Sequence, residues 1–299
     1  MRTFKGCGTA MVTPFRADGS LDEETMRRLV KRQIDAGIHF LVPCGTTGES
    51  PTLTLKEHLR VVEITLEEAK GKVPVVAGCG GYNTAELIEL ARTLESMGAD
   101  GLLSVTPYYN KPNPEGLYQH YSAIGRATNL PIVLYNVPSR TARNVTSSEL
   151  LRLAEVPNIT TVKEASGQIG QMAQICQQMP RDFAVLSGDD AVTLPLMSLG
   201  GVGVISVVSN EIPGEMSRLC DLCNEGNFVE ARALHRRFHP LMEVNFCETS
   251  PGPVKYAMAR MGLIEANYRL PMVPVSSESA AKIDRVLADV GLAQAAAAD

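Results

Sequence analysis

The 299-residue sequence carries no excess of positive charge; its formal net charge is −5. A chain of that balance has no electrostatic reason to bind nucleic acid or an anionic membrane. No apolar run approaches the roughly 20 residues a membrane-spanning helix needs. The N-terminal stretch MRTFKGCGTAMVTPF is broken by glycine and proline and lacks the basic, apolar and small-residue layout of a secretory signal. A cytoplasmic location is the resulting expectation. The five histidines (His39, His58, His120, His235 and His239) form no His-x-His pair of the kind a metallohydrolase barrel uses. His235 and His239 share a helix face, but Arg236 stands where a zinc protease carries its glutamate. There is no G-x-S-x-G elbow and no glycine-rich dinucleotide loop. The seven cysteines are scattered, and the single C-x-x-C, Cys220 and Cys223, has no second pair with which to hold zinc. It falls in the helical pattern MSRLCDLCNEG and reads as packing.

What is present is a long alternation of short apolar runs with helical patterns. The runs begin at Gly8 (GTAMVTP), Phe40 (FLVPC), Val73 (VPVVAG), Gly101 (GLLSV), Pro131 (PIVLYN), Ile159 (ITTVKEA), Phe183 (FAVLSG) and Gly201 (GVGVISV). Their nearly continuous apolar character suits parallel strands buried on both faces. Between them lie segments of helical period, such as LDEETMRRLVKRQIDAG, with Ser20 as its expected N-cap and Gly37 as its stop. Eight such units in series favour an α/β fold of the closed (β/α)₈ TIM-barrel type over an open doubly wound sheet. After residue 225 the strand pattern ends. FVEARALHRRFHPLMEVNF, PVKYAMARMG and SSESAAKIDRVLADVGL all read as helices. The expectation is a barrel over 1–225 and a helical C-terminal extension over 226–299 packed on it, with the alanine-rich tail from Ala293 fraying.

Chemistry on such a barrel gathers at the C-terminal strand ends. There the residue that stands out is Lys163, closing the apolar run ITTV. Burial disfavours the ammonium form and would leave a neutral amine able to form an imine with a keto acid. The plain alternative is a lysine that reaches solvent or pairs with Glu164. Tyr135 ends the neighbouring strand, where its phenol could relay protons or simply pack at the rim. Gly45-Thr46-Thr47-Gly48 offers backbone N–H groups and two hydroxyls to a carboxylate. Arg140, on the loop after Pro138, has a planar fork suited to a second carboxylate.

Taken in order, GTTGES, TPYYN, YNVPSRT, VKEASG and SGDD resemble the motifs of the dihydrodipicolinate synthase family, in the superfamily that also holds N-acetylneuraminate lyase. The similarity runs from about Gly6 to Leu292 and includes PVKYAMARMGLI and RLPMVPVS. The resemblance implies a lyase of lysine and diaminopimelate biosynthesis that joins pyruvate to L-aspartate 4-semialdehyde, without a cofactor, through an imine on Lys163. Tyr135, Thr46 and Tyr109 match the family's proton-relay triad, the last of them reaching across a dimer interface. A homotetramer, a dimer of dimers, is the implied assembly. Thr47 matches the residue that binds the pyruvate carboxylate, Arg140 the one that meets the semialdehyde's carboxylate, and Gly188 and Ile205 match positions whose backbone lines the pocket. The implied lysine feedback site comprises Ser50, Pro51, His58, Tyr82, Glu86 and Tyr108. Two departures there, Leu55 for a common histidine and Tyr82 for an asparagine, lead to the expectation of weak or absent lysine inhibition. Ala142 and Arg143 follow SRT where the family usually has glycine; if that glycine needs a positive φ the loop must differ here, and Arg143 adds a charge near the mouth that leaves a different acceptor open. The competing readings are a pyruvate-dependent aldolase for another aldehyde, such as a sugar acid, and a catalytically silent binding paralogue.

Overall fold

The computed structural model describes residues 3–293, so the alanine-rich tail beyond Ala293 lies outside the described residues. Eight strands appear where the apolar runs fall: β1 (Gly6–Ala10), β2 (Phe40–Val42), β3 (Val76–Gly78), β4 (Gly101–Val105), β5 (Ile132–Asn136), β6 (Ile159–Glu164), β7 (Ala184–Ser187) and β8 (Gly203–Ser206). All pair in parallel in the order β2-β1-β8-β7-β6-β5-β4-β3. The ring is completed between β2 and β3 by a parallel bridge from Leu41 to Val75 and by the Gly78 N–H donating to the Pro43 carbonyl at 3.0 Å. The fold is therefore a (β/α)₈ barrel.

Strand alternation sorts the side chains into two layers. On β5, Val133 and Tyr135 point into the barrel with Phe40, Leu103, Leu186 and Ile205, whereas Ile132 and Leu134 face the surrounding helices. On β6, Val162 belongs to the helix-facing layer. Lys163, its neighbour, must therefore point into the barrel.

One local expectation needs correction. The first helix, Glu23–Asp35, is capped by Asp22 and not by Ser20. The Asp22 carboxylate accepts the Thr25 N–H at 3.1 Å, while Ser20 turns back to Asp18, donating to it from both its backbone N–H and its hydroxyl. The preceding bridge between Phe15 and Leu21 fixes the chain two residues too early for Ser20 to reach the helix.

Beyond residue 225 lie helices Phe228–Val244, Gly252–Arg260 and Ser277–Asp289. Helix Gly252–Arg260 and the loops on either side of it reach the C-terminal face of the barrel. Arg269 donates to the Gly19 and Thr52 carbonyls and pairs with Glu57 at 2.6 Å. Cys220 and Cys223 are both buried on helix Pro213–Asn224. No described helix is long and apolar enough to cross a membrane.

Candidate active site

Lys163 lies opposite Tyr135 in the β5–β6 ladder. It is only 4% exposed. Its Nζ sits 4.2 Å from the centre of the Tyr135 ring. The alternative partner, Glu164, faces the other way, accepting from the Asn136 amide at 2.9 Å and the Ser166 N–H at 2.8 Å. Lys163 thus has no ion pair among the described residues. Burial brings its pKa down to about 7, with Asp190 opposing that shift and Arg140 adding to it. At that value a large share of the side chain is neutral amine near pH 7.

Gly188 makes room for the lysine stem. A Cβ there would stand 2.6 Å from that of Ala165 and 3.2 Å from both Cγ and Cε of Lys163. Its N–H is taken by the Glu164 carbonyl at 2.8 Å. Ile205 is fully buried on β8, inside the same barrel layer.

The Tyr135 phenol is buried, which raises its pKa to about 12; Arg140 and a hydrogen bond with the Thr46 side chain pull in the other direction. It therefore stays protonated and can hand a proton on and take one back. Thr46 and the buried Thr47 lie in the turn after β2, where the Gly48 and Glu49 N–H groups fold back onto the Gly45 and Thr46 carbonyls. The N–H groups of Thr46 and Thr47 themselves donate to no acceptor among the described residues.

Tyr109 behaves differently. It is 89% exposed and holds a positive φ of 65°. Its phenol is no part of this chain's own pocket.

The mouth is a cavity of about 360 Å³ between Tyr135, Arg140, Gly188 and Asp189 on one side and Phe246, Glu248 and Ser250 on the other. Arg140 crosses it, donating to the Ser250 carbonyl at 3.0 Å. The helical pattern of the C-terminal segment gave no hint that its connecting loop forms one wall. Asp190 was likewise missed beyond its place in the SGDD motif. It is buried, accepts the Val207 and Val208 N–H groups, and burial raises its pKa to about 6.

The two residues after SRT put no charge into the mouth. Ala142 takes the left-handed conformation, φ 53°, so a positive φ at this turn is reached without glycine. Arg143 turns away from the mouth, donating to the Pro112 carbonyl and pairing with Glu149 at 2.7 Å. The expectation of an added charge at the mouth is therefore corrected.

A second cavity of about 680 Å³ is lined by Ser50, Leu55, His58, Tyr82, Glu86 and Tyr108, among others. Pro51 lies beside it in the short turn Ser50–Thr52 and is exposed. Tyr82 meets Tyr108 edge to face at 5.1 Å. His58 is buried, Nε2 lying 2.9 Å from the Gly78 carbonyl, and burial lowers its pKa. Among the described residues no cluster of side chains could hold a metal ion.

Comparison with known proteins adds four findings. The model of the dihydrodipicolinate synthetase family matches residues 3–290. A 4-hydroxy-tetrahydrodipicolinate synthase of Koribacter versatilis is 53% identical over 289 residues, covering 96% of each chain. Among solved structures, a monomeric dihydrodipicolinate synthase variant is 45% identical with a TM-score of 0.94, covering 97% of both chains. The Cyanidioschyzon merolae enzyme, solved with lysine bound, is 39% identical with a TM-score of 0.94, covering 97% of this chain and 99% of its own.

Proposed function

From the premise that the chain belongs to the dihydrodipicolinate synthetase family, we propose that it condenses pyruvate with L-aspartate 4-semialdehyde to give 4-hydroxy-tetrahydrodipicolinate. The observation that carries this reading is a buried, unpaired lysine amine set against the Tyr135 ring, beneath a mouth crossed by an arginine.

In this reading the pyruvate carboxylate docks on the free N–H groups of Thr46 and Thr47. The neutral Lys163 amine adds to the keto carbon, and the resulting carbinolamine loses water to give the imine. Tyr135 supplies the proton that turns the departing hydroxyl into water and recovers one later, passing it through Thr46. Loss of a methyl proton gives the enamine, with the protonated imine nitrogen as the electron sink, so the scheme invokes no cofactor. The enamine carbon attacks the semialdehyde's aldehyde while Arg140 holds that substrate's carboxylate. The substrate's own amine then attacks the imine carbon and expels Lys163, closing the ring. Gly188 and Ile205 shape the wall beside the imine.

Tyr109 completes the relay from a second copy of the chain. Its exposure and strained backbone suit a side chain whose contacts lie outside its own subunit. The assembly in this reading is a homotetramer built as a dimer of dimers. The second cavity is read as the place of a regulatory lysine site whose residues here bind lysine weakly.

The test is pyruvate consumption with L-aspartate 4-semialdehyde as acceptor, with mass spectrometry of the product and borohydride trapping of pyruvate on the protein. Turnover to the cyclic product is expected. Trapping on Lys163 without turnover would redirect the acceptor to another aldehyde, such as that of a sugar acid. Absence of both would refute the lysine mechanism and favour a silent paralogue.

A further inference from the structure

Lys255 is fully buried on helix Gly252–Arg260, and its ammonium lies 2.6 Å from Oε1 of Glu49, itself almost fully buried. The pair joins residues 206 positions apart in sequence, linking the C-terminal segment to the turn that carries Thr46 and Thr47. The lysine is further enclosed by the Phe15 ring at 4.5 Å and the Tyr268 ring at 5.3 Å. The second carboxylate oxygen of Glu49 has no hydrogen-bond partner among the described residues. A buried pair satisfied on one side only is a poor device for stability, because desolvation offsets much of its attraction. Its presence calls for another reason.

That reason lies in the backbone. The turn is bracketed by two non-glycine residues in the left-handed region, Cys44 with φ 56° and Glu49 with φ 53°. Such residues hold that conformation only when surrounding contacts over-determine it. Cys44 is fixed by burial against the chain around His58. Between them Gly48 sits where a Cβ would be 3.1 Å from both the Cys44 nitrogen and the Met11 carbonyl oxygen, and the Thr13 hydroxyl holds its carbonyl at 2.7 Å. At the far end the Glu49 backbone is held locally, its N–H on the Thr46 carbonyl at 3.1 Å and its carbonyl accepting the Thr52 N–H and hydroxyl, while the ion pair with Lys255 is the contact that ties its side chain to a distant segment. We infer that Lys255 and Glu49 are positioning residues for the pyruvate-carboxylate nest: the pair locks the left-handed turn at Glu49 and so aims the Thr46 and Thr47 N–H groups and the Thr46 hydroxyl. This rests on the proposal above that those groups receive the pyruvate carboxylate.

The experiment uses the full chain and reads pyruvate trapping by borohydride as a function of pyruvate concentration, with no aldehyde present. The wild type must trap first; if it does not, the lysine mechanism itself has failed and not the positioning role. Two variants are then compared: Glu49→Gln, which keeps the shape and an acceptor for Lys255, and the double variant Glu49→Gln/Lys255→Met, which leaves no charge buried alone. Both are assayed at a temperature where circular dichroism shows them folded. The expected result is a half-saturating pyruvate concentration raised at least tenfold in the double variant and severalfold in Glu49→Gln. Trapping by Lys163 at saturating pyruvate should be retained. A purely structural pair would move the melting temperature and leave the half-saturation where it is. Wild-type half-saturation in either folded variant would overturn the inference.

Discussion

Tyr135 and Lys163 face one another across the β5–β6 ladder, with the lysine nitrogen 4.2 Å from the centre of the phenol ring. Because both sit deep in the barrel, burial moves them in opposite senses: the amine down to about 7 and the phenol up to about 12. Near pH 7 the amine is then substantially free to attack, while the phenol still holds its proton. In the proposed mechanism one environment would thus prepare the nucleophile and the proton donor side by side.

The first prediction concerns the pH dependence of imine formation. Only the neutral amine attacks, so trapping of pyruvate by cyanoborohydride should climb about tenfold per pH unit below 7 and level off above it. A lysine of ordinary pKa would keep climbing to about 10.4. A profile still rising steeply at pH 9 would contradict the burial argument.

The same shift has a consequence for stability. The folded pKa of Lys163, about 7, lies below its value in the unfolded chain, so between those two values the unfolded state binds more protons. The cost of burying the lysine is present in full below pH 7 and fades as pH rises through the window to about 10.5. Lys163→Met should therefore be inactive yet more stable at pH 6, by on the order of 3 kcal/mol. The gain should shrink steadily by pH 10. Melting curves of both proteins across that range would check it, and a pH-independent difference would sink the idea.

Tyr135→Phe removes a buried hydroxyl while keeping the ring over Lys163. General acid–base catalysis of this kind contributes about 10²–10⁴-fold. The expected outcome is a fall in kcat of at least a hundredfold, with the KM for pyruvate within about threefold of wild type. A loss seen only in KM would assign the phenol to binding and not to proton transfer.

Ala142 carries a turn that glycine would carry more easily. A left-handed non-glycine residue costs roughly 1–2 kcal/mol, and the greater unfolded-state freedom of glycine takes back about 0.5–1. Ala142→Gly should thus be neutral or stabilising by up to about 1 kcal/mol. Ala142→Val, β-branched at a positive φ, should destabilise by at least about 1 kcal/mol. Equal melting temperatures for all three proteins would mean the turn relaxes freely.

The strands and the buried lysine were legible for different reasons. Eight apolar runs announce a barrel because both faces of each strand are buried, and Lys163 stands out because a charged residue interrupts that pattern at a strand end. Tyr135 could be read beside it because consecutive strands of a barrel are neighbours. What lay hidden depends on contacts between distant segments. Nothing local in GTTGES says that Glu49 will meet Lys255, and nothing in the loop before PVKYAMARMG says that its Ser250 carbonyl will take Arg140. The Ser20 cap failed at shorter range: the bridge between Phe15 and Leu21 leaves the cap position to Asp22, two residues on.

The last prediction concerns L-lysine. In the second cavity Tyr82 is 53% exposed and stacks edge to face on Tyr108, and Leu55 is exposed at the rim. A phenol offers one hydroxyl where an amide offers both a donor and an acceptor, and leucine offers no polar atom at all. His58, with its pKa lowered by burial and its Nε2 beside the Gly78 carbonyl, adds no positive charge for a carboxylate near neutral pH. In the proposed lysine site Glu86 would offer a carboxylate to the ligand's ammonium, while Tyr82 and Leu55 would offer little to its carboxylate. The expected outcome is inhibition by L-lysine only above about 1 mM, where binding amounts to roughly 4 kcal/mol. Tyr82→Asn should strengthen inhibition, since it restores the amide. A submillimolar inhibition constant for the unaltered chain would show that lysine's carboxylate finds another partner here.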